Sequence, residues 1–273
     1  MNELEINTAV ARQVLTGFIR SEITRMGFER AVIGLSGGID SALSCYLAAE
    51  ALGPQNVLAV RMPYRSSSAD SLEHAQWVID ALGVQSLTVE ITDMVEPLFA
   101  RFADMNAMRK GNIMARQRMI VLYDQSAAFN GLVVGTGNKT EILLGYSTLY
   151  GDSACALNPL GDLYKTQVRQ LSRGMGIAEG IVAKPPSADL WAGQTDENEL
   201  GFTYAEVDRL LLRLVDQRFT PEECIEAGFA ADFVRAVVRR IQRNQFKRVL
   251  PPIAKLSQRT IGYDFLYLRD WGT

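Results

Sequence analysis

Short apolar runs alternate with stretches of helical periodicity along this chain. The runs are too short for helices and are bounded by polar or glycine-containing segments, which is typical of buried strands. They lie at Ala31–Leu35, Val57–Met62, Ser86–Ile91 and Leu132–Val134. Helix-like sequence such as Ser68–Leu82 separates each run from the next. Since repeated strand–helix–strand units form parallel sheets, the pattern predicts an α/β fold, a Rossmann-like parallel sheet with helices on both faces.

Two further segments have helical periodicity outside this alternation. From Ile6 to Met26 the apolar residues Val10, Val14, Ile19 and Ile23 recur at near-helical spacing, which predicts an amphipathic helix covering one face of the sheet. The segment Asn112–Phe129 has apolar side chains in several directions, so it is buried on more than one side, either internally or at a subunit interface. The interface interpretation predicts a homodimer.

A glycine turn from Ser36 to Ser41 follows the first predicted strand. Gly37 and Gly38 let backbone amides turn toward an anion, and a helix then begins with its positive end facing the same point. Asp40 would repel a phosphate unless a cation lies between them, so it implies Mg²⁺. The turn lacks the Gly-Lys-Ser/Thr ending of an ordinary P-loop.

A second polar turn, Gly135–Glu141, follows the fourth predicted strand. Because ligands of parallel sheets bind beyond the carboxyl ends of the strands, both turns face one site. Thr136 can donate its hydroxyl to a phosphate, and Glu141 can supply a second oxygen ligand to the metal at Asp40. Taken alone, Glu141 could instead complement a helix dipole. Arg61 begins a loop that is either an adenine-side contact or only a helix cap.

Composition and charge narrow the functional class. The 273 residues are 48% hydrophobic, enough for the core of a single domain covering 1–273, and the net charge of −3 argues against nucleic-acid binding. Three scattered cysteines and a lone histidine, His74, fit neither a disulfide framework nor a zinc site, and Cys45 is expected in the core. No membrane segment or signal peptide is evident, which predicts a cytoplasmic protein.

The motifs together resemble a known family. The turn Ser36–Ser41 resembles the pyrophosphate loop of the N-type ATP pyrophosphatases. With Gly135–Glu141, Tyr150–Ala154, Asn158–Val168 and Lys184–Leu190, the chain resembles the ammonia-dependent NAD⁺ synthetases over nearly its whole length. The resemblance implies an adenine nucleotide alpha hydrolase-like fold, Mg²⁺ as cofactor, and ATP, deamido-NAD⁺ and ammonia as substrates. The nicotinate carboxylate would be adenylated by ATP, and ammonia would then convert the adenylate to NAD⁺.

The resemblance also assigns roles to particular residues. Asp40 and Glu141 would hold the metal, and these two residues, Lys165 and Asp152 would serve catalysis. The implied ATP contacts are Gly34, Ser36, Gly37, Gly38, Ile39, Asp40, Ser41, Arg61, Thr136, Lys165 and Ser187. The implied deamido-NAD⁺ contacts are Arg116, Asp152 and Lys247. From the residues alone, Lys165 could be a solvated helix lysine and Asp152 an ordinary turn residue.

Two positions depart from the family pattern. Many relatives carry an acid and a lysine as dinucleotide contacts where this chain has Ala156 and Leu149, so those contacts are in doubt. Ser187 replaces a common threonine and keeps the hydroxyl.

The last third of the chain is expected to contain a mobile loop and a helical tail. The loop at 191–201 is polar, acidic and glycine-flanked, so it could close over the site. In the tail, Arg235, Arg239, Arg243 and Lys247 share one helical face, which is usually solvated surface, and Lys247 is the member expected to do more. The aromatic residues that follow are expected to pack on the body or on a partner subunit. They are Tyr263, Phe265, Tyr267 and Trp271.

Two other functions remain open from the sequence. Another ATP pyrophosphatase of this type, resembling the synthetase of GMP formation or a tRNA-modifying adenylating enzyme, would share the first loop. A tRNA enzyme would be more basic than this acidic chain. A non-catalytic nucleotide sensor would not require Asp40, Glu141 and Lys165 together.

Overall fold

The computed structural model describes residues 3–187 and 196–265. In these residues a parallel sheet forms from β1 (Arg30–Gly34), β2 (Val57–Arg61), β3 (Gln85–Thr88) and β4 (Gly131–Val133), in the order β3-β2-β1-β4. In register, Val32 of β1 pairs with Leu58 and with Val133. The predicted parallel sheet is therefore confirmed. The third strand is shorter than predicted, because it ends at Thr88.

Helices occupy the connections and the C-terminal third of the described chain. They are α1 (Thr8–Arg25), α2 (Ile39–Leu52), α3 (Ala69–Leu82), α4 (Thr92–Arg101), α5 (Ala107–Phe129), α6 (Lys139–Leu144), α7 (Lys165–Gly174), α8 (Glu179–Val182), α9 (Asp196–Leu200), α10 (Tyr204–Leu211), α11 (Pro221–Glu226) and α12 (Ala231–Arg243). A π-helical turn, Leu212–Asp216, follows α10, and a 3₁₀ turn, Gln245–Arg248, follows α12.

Both faces of the sheet are covered by helices, as the sequence pattern predicts. Alternate side chains of β1 point to opposite faces, so Ile33 packs in one core with α2 while Val32 packs in another with α5. Helix α2 is buried on most of its circumference, and its residue Cys45 is fully buried, as expected. Helix α5 contacts both β1 and β4. The sheet edge that carries the polar turns is thereby held rigidly between two helical layers.

The N-terminal helix differs from its prediction. Helix α1 packs mainly against α2 and α7 instead of directly on the sheet. Of its predicted apolar stripe, Ile19 and Ile23 are fully buried, but Val10 and Val14 are 53% and 60% exposed. The physical reason is that Val10 and Val14 lie on the opposite side of the helix from the residues that pack on the core, which are Ala11, Leu15, Ile19 and Ile23 at i,i+4 spacing.

A third apolar core joins the C-terminal helices to α6. Tyr204, Val207 and Leu211 of α10 pack there with Leu144 and Val234. The predicted helix through Lys247 ends earlier, at Arg243, and Lys247 turns inward on the 3₁₀ turn.

The basic stripe and the aromatic tail are largely solvent-facing. Arg235, Arg239 and Arg243 are exposed, which confirms the solvated-surface interpretation. Tyr263 and Phe265 are exposed in the single chain, so packing on the body is wrong for them, and packing on a partner subunit stays a prediction. Tyr267 and Trp271 lie outside the described residues.

The strand order places a ligand crevice beside β1. The chain passes from β1 to β2 on one side, whereas β4 joins β1 on the other side. The segments that follow β1 and β4 therefore diverge at the carboxyl edge of the sheet, which is where open α/β sheets bind ligands. The two predicted polar turns lie at this point.

Candidate active site

The turn after β1 is shaped by its own serines. Ser41 Oγ donates to the Gly38 carbonyl at 2.9 Å and accepts from the Ser36 amide at 3.2 Å. Ser36 Oγ in turn accepts from the Gly38 amide at 3.3 Å. Helix α2 then begins at Ile39 with no side-chain cap, so its first amides are available to an anion.

Gly37 is required by backbone geometry and by close packing. Its φ is +79°, in the left-handed region that glycine adopts without strain. A Cβ at this position would lie 2.0 Å from the Ser71 carbonyl oxygen at the start of α3. The glycine turn is therefore pressed against α3, which fixes its position above the sheet.

The turn after β4 ends in a helix cap that also reaches the first turn. Asn138 caps α6 by accepting from the Glu141 amide at 3.0 Å, and Glu141 Oε2 accepts from the Asn138 amide at 3.3 Å. The side-chain amide of Asn138 donates to Asp40 Oδ1 at 2.9 Å. One asparagine thus fixes Glu141 and Asp40 relative to each other.

Lys165 lies between these two carboxylates. Its Nζ is 2.5 Å from Asp40 Oδ2 and 3.0 Å from Glu141 Oε1, and it stacks over the ring of Tyr204 at 5.1 Å from the centroid. The side chain of Lys165 is only 2% exposed, whereas both carboxylates are 17% exposed. The position excludes the solvated-lysine interpretation, since Lys165 is the buried counterion of both acids.

The cluster carries two acids and one base, and its pKa values reflect this imbalance. Burial raises the pKa of Glu141 to about 7; Lys165 opposes the shift and the neighbouring charge of Asp40 adds to it. Burial by itself would lower the pKa of Lys165, but the charges of Asp40 and Glu141 outweigh it and hold that pKa above its usual value. Lys165 therefore stays positively charged at neutral pH.

A cleft of about 1200 Å³ opens over this cluster. It brings together most residues implied by the family resemblance. Those lining it are Gly34, Ser36, Gly38, Ile39, Asp40, Ser41, Arg61, Thr136, Glu141, Asp152, Lys165, Ser187 and Lys247. Asp152 Oδ1 also accepts from the Thr148 amide at 2.7 Å, so it has the turn role as well as a place in the cleft.

Lys247 and Arg61, which both line the cleft, are held by different hydrogen-bond partners. Lys247 Nζ donates to the carbonyl oxygens of Gly145 and Ser147, both at 2.7 Å, which ties the C-terminal segment to the end of α6. Burial lowers its pKa. Arg61, at the end of β2, donates to Gln76 at 2.7 Å.

Two of the expected contact residues do not line the cleft. Gly37 shapes the turn from behind, as its contact with α3 shows. Arg116 is exposed on α5 and donates to the Leu149 carbonyl at 3.2 Å, whereas Arg118, two residues later, lines the cleft. Leu149 thus contributes its backbone carbonyl to an arginine.

The expected mobile loop is only partly within the described structure. Residues 191–195 lie outside the described residues. Asp196–Leu200, however, forms helix α9 with Asp196 and Leu200 buried, so this part is helical, and the mobility of the segment stays a prediction. Asp196 accepts hydrogen bonds from the hydroxyls of Tyr146 and Tyr204 at 3.0 and 3.1 Å, which anchors the helix at the rim of the cleft.

The donor set suits Mg²⁺ with shared ligands. Among residues 3–187 and 196–265 no group of three or more acidic, histidine or cysteine side chains is placed to hold a metal. The two carboxylates Asp40 and Glu141 face the cleft together, and magnesium sites in phosphate-transfer enzymes commonly use one or two carboxylates plus substrate phosphates and water. The residues present therefore fit this ion.

Sequence reasoning left out several side chains that build the site. Asn138 could have been found, because an asparagine three residues before a glutamate is a capping-box signature. Asp208 occupies a position on the apolar face of α10, with Tyr204, Val207 and Leu211, and an acid there signals a buried role. Lys184, which begins the motif Lys184–Leu190, also lines the cleft. Arg118 and Arg240 line it too, and no sequence pattern distinguishes these two from surface residues.

The fold and this site define a class of protein. It is a Rossmann-like α/β protein whose glycine turn, of the ATP-pyrophosphatase type, faces a buried lysine and two acids.

Comparison with known proteins specifies the family. The family model described as NAD synthase matches residues 11–251. The chain is 60% identical to an NH(3)-dependent NAD(+) synthetase from Trichlorobacter lovleyi, over the full length of both proteins.

Solved structures agree with the sequence matches. The structure of the NH3-dependent NAD synthetase from Campylobacter jejuni superposes with a TM-score of 0.79 and 32% identity, covering 92% of this chain and all of that chain. The NMN synthetase from Francisella tularensis superposes with a TM-score of 0.82 and 31% identity, with the same coverage. The chain belongs to the NAD synthase family. In its described part, no helix is long and apolar enough to cross a membrane.

Proposed function

We propose that this protein is an ammonia-dependent NAD⁺ synthetase that uses ATP to amidate deamido-NAD⁺. The observation that carries the proposal is the position of Lys165, which is buried between Asp40 and Glu141 at the end of the glycine turn. The family membership of the chain and its similarity to NH(3)-dependent NAD(+) synthetases support the choice of substrates.

The reaction needs no nucleophile from the protein. A carboxylate oxygen of deamido-NAD⁺ attacks the α-phosphorus of ATP, the bond to the bridging oxygen of the β-phosphate breaks, and pyrophosphate leaves. Ammonia then attacks the acyl carbon of the adenylate and loses a proton, and AMP leaves with the former carboxylate oxygen. The first step moves negative charge among phosphate oxygens, and the second moves it through the acyl oxygen to the phosphate of AMP, so electrostatic stabilisation is the main requirement.

The described residues supply that stabilisation. The first amides of α2 and the glycine turn face the phosphates, and Lys165 adds a fixed positive charge. Asp40 and Glu141 would hold Mg²⁺, which neutralises phosphate charge when bound. Asn138 keeps the two acids in place through its hydrogen bonds to both residues.

The lining of the cleft supports contacts with the remainder of each substrate. Arg61, Thr136 and Ser187 are assigned to ATP, and the ends of β2 and β4 place Arg61 and Thr136 on opposite sides of the glycine turn after β1. Asp152 and Lys247 are assigned to deamido-NAD⁺. Arg116 is also assigned to deamido-NAD⁺. Because Arg116 does not line the cleft of a single chain, this contact requires the dinucleotide to extend beyond the cleft.

The proposal extends to organisation and location. The chain acts as one domain over 1–273, in the cytoplasm, as a homodimer. Exposed apolar side chains on α5 and α1 support the dimer, since Ile120 and Val14 are 54% and 60% exposed.

Incubation with ATP, Mg²⁺, deamido-NAD⁺ and ammonium tests the proposal. NAD⁺, AMP and pyrophosphate should appear in equal amounts, and leaving out ammonium should abolish NAD⁺. A parallel reaction with the mononucleotide analogue of the acceptor, nicotinate mononucleotide, tests the activity named for the Francisella structure. Preference for the mononucleotide, or adenylation of an unrelated acid without NAD⁺ formation, would overturn the proposal.

A further inference from the structure

One buried carboxylate connects the two helices that carry Glu141 and Lys165. Asp208 on α10 is fully buried; its Oδ1 accepts from the Thr140 hydroxyl at 2.5 Å and its Oδ2 accepts from the Thr166 amide at 2.8 Å. Thr140 Oγ1 also accepts from the backbone amide of Lys165 at 3.0 Å. Asp208 therefore ties the first turn of α6 to the first turn of α7.

The two residues that Asp208 binds adjoin the reactive pair. Thr140 precedes Glu141, and Thr166 follows Lys165. The side chains of Glu141 and Lys165 meet at 3.0 Å, so this contact depends on how α6 and α7 are placed relative to each other. Asp208 does not line the cleft, and it acts on the reactive pair through the two threonines and through the interaction of its charge with Lys165.

Helix stability alone does not explain an acid at this position. The side chain of Tyr164 does not cap α7, so Thr140 and Asp208 provide acceptors for the amides of Lys165 and Thr166. A neutral serine, threonine or asparagine would also satisfy such amides. Burial raises the pKa of Asp208, opposed by its hydrogen bonds from Thr140 and Thr166, which shows that the ionised form is costly here. Both oxygens nevertheless accept hydrogen bonds from different helices.

We propose that Asp208 is a positioning residue that sets the distance between Lys165 and Glu141, a role that rests on the proposed function. It holds Lys165 where its charge meets the phosphates in the transition state. Displacement of a fixed charge by about 1 Å can lower a rate by roughly 10²-fold. Removal of the carboxylate should therefore lower kcat more than it weakens substrate binding.

The test compares variants of the full-length protein. Asp208→Asn keeps the volume but turns an amide donor toward either Thr140 or Thr166. Thr140→Val removes the hydroxyl at constant shape, and Thr140→Ser restores it. Glu206→Gln is the matched control, because Glu206 is exposed on the same helix and its hydrogen bonds join it to Thr203 in a capping box.

We expect Asp208→Asn and Thr140→Val to lower kcat for NAD⁺ formation by roughly 10²-fold, with KM for ATP changed less than about threefold. Thr140→Ser and Glu206→Gln should retain kcat close to that of the unmodified protein. The double variant Asp208→Asn/Thr140→Val should lose little more kcat than either single variant, since both substitutions remove the same connection between α6 and α7. A loss of kcat in Glu206→Gln as large as that in the site variants would overturn the proposal, and so would full kcat in Thr140→Val. Thr140→Val decides the proposal even when Asp208→Asn does not fold.

A second readout is independent of catalysis. The ammonium resonance of Lys165 in ¹⁵N-lysine-labelled protein, assigned by its loss in Lys165→Arg, reports the surroundings of Nζ directly. We expect it to shift or broaden in Asp208→Asn and Thr140→Val, and to stay unchanged in Glu206→Gln. An unchanged signal in both site variants contradicts the positioning role. If the unmodified protein makes no NAD⁺, the proposed function fails, while this resonance still decides the role of Asp208.

Discussion

Lys165 Nζ and Asp40 Oδ2 lie 2.5 Å apart, although 125 positions separate the two residues in the chain. The sheet brings them together, because Asp40 follows β1 while Lys165 begins the helix reached through the segment after β4. Glu141, at 3.0 Å from the same nitrogen, completes the cluster. The charge at the phosphate site is therefore built from three separate segments, and each can be tested by substitution.

Replacement of Lys165 by methionine should impair both activity and stability. The change leaves Asp40 and Glu141 near each other without their shared counterion, and breaking a buried pair costs about 3–5 kcal/mol. NAD⁺ formation should fall by roughly 10²-fold or more because a preorganised charge is lost. Urea unfolding and steady-state kinetics measure the two effects. Normal turnover in the variant would show that Lys165 is only structural.

The acid pair itself should be essential for metal-dependent turnover. Asp40→Asn and Glu141→Gln should each lower the rate on the order of 10²-fold or more, as expected for loss of an electrostatic contact. Raising the Mg²⁺ concentration should recover part of the activity, because each variant keeps one carboxylate. Glu73→Gln, which removes an exposed carboxylate of α3 that does not line the cleft, is the control. Near-normal turnover in either acid variant would mean that the metal binds elsewhere.

The raised pKa of Glu141 predicts how stability of the ligand-free protein changes with pH. With a folded pKa of about 7 against the unfolded 4.5, the folded state binds more protons between these values, so stability falls as pH rises through this window. The loss attributable to Glu141 is on the order of 3 kcal/mol, because a difference of one between the folded and unfolded pKa values corresponds to about 1.4 kcal/mol. Urea unfolding from pH 4.5 to 8, without Mg²⁺ or nucleotide, measures it.

Glu141→Gln provides the reference for that pH series. The difference in unfolding free energy between the unmodified protein and this variant should decrease as pH rises from 4.5 to 7, and then level off. The raised pKa of Lys165 leaves this window unaffected, since lysine stays protonated throughout it. If this difference in unfolding free energy grew with pH, the charge of Lys165 would outweigh burial and lower the pKa of Glu141.

Gly37→Ala should weaken the phosphate site through packing as well as backbone strain. Gly176 has a similar φ of +75° but nothing within 4 Å of an added Cβ, whereas a Cβ at Gly37 would lie 2.0 Å from Ser71 O. Gly176→Ala therefore reports strain alone, about 1–3 kcal/mol of unfolding free energy. Gly37→Ala should lose more, and its affinity for ATP should fall while that of Gly176→Ala does not. Equal affinity in both variants would contradict the role of this turn.

The dimer can be tested on α5. Ile120→Asp places a charge on an exposed apolar position of the helix, and burial of an unpaired charge would prevent association. Val215→Asp, on the π-helical turn of the C-terminal part, is the control. Light scattering should show a dimer for the unmodified protein and the control, and a monomer for Ile120→Asp. A monomeric unmodified protein at working concentration would overturn the dimer.

Local patterns were sufficient for the strands and for both polar turns. Short apolar runs gave β1, β2 and β4 to within one or two residues, because these strands are buried on both faces and contain few polar side chains. Glycines after β1 and the polar turn after β4 located the ligand edge of the sheet. These features depend mainly on contacts near in sequence.

Features that depend on distant contacts could not be predicted. The packing of α1 on α2 and α7 instead of on the sheet depends on the layer formed by α2, which the sequence of α1 does not contain. The position of Lys165 between two acids requires three segments to meet, and its helical context alone fits a solvated lysine equally well. Asp208 needed the packing of α10 against α6 and α7 before its role was visible.

Transfer of an oxygen atom tests the central claim most directly. Deamido-NAD⁺ labelled with ¹⁸O in its nicotinate carboxylate is converted to NAD⁺ with ATP, Mg²⁺ and ammonium, and the AMP and pyrophosphate are analysed by mass spectrometry. If the carboxylate attacks the α-phosphorus beside Lys165, one labelled oxygen from each molecule appears in AMP and none in pyrophosphate. Label in pyrophosphate, or NAD⁺ formation with unlabelled AMP, would contradict the account.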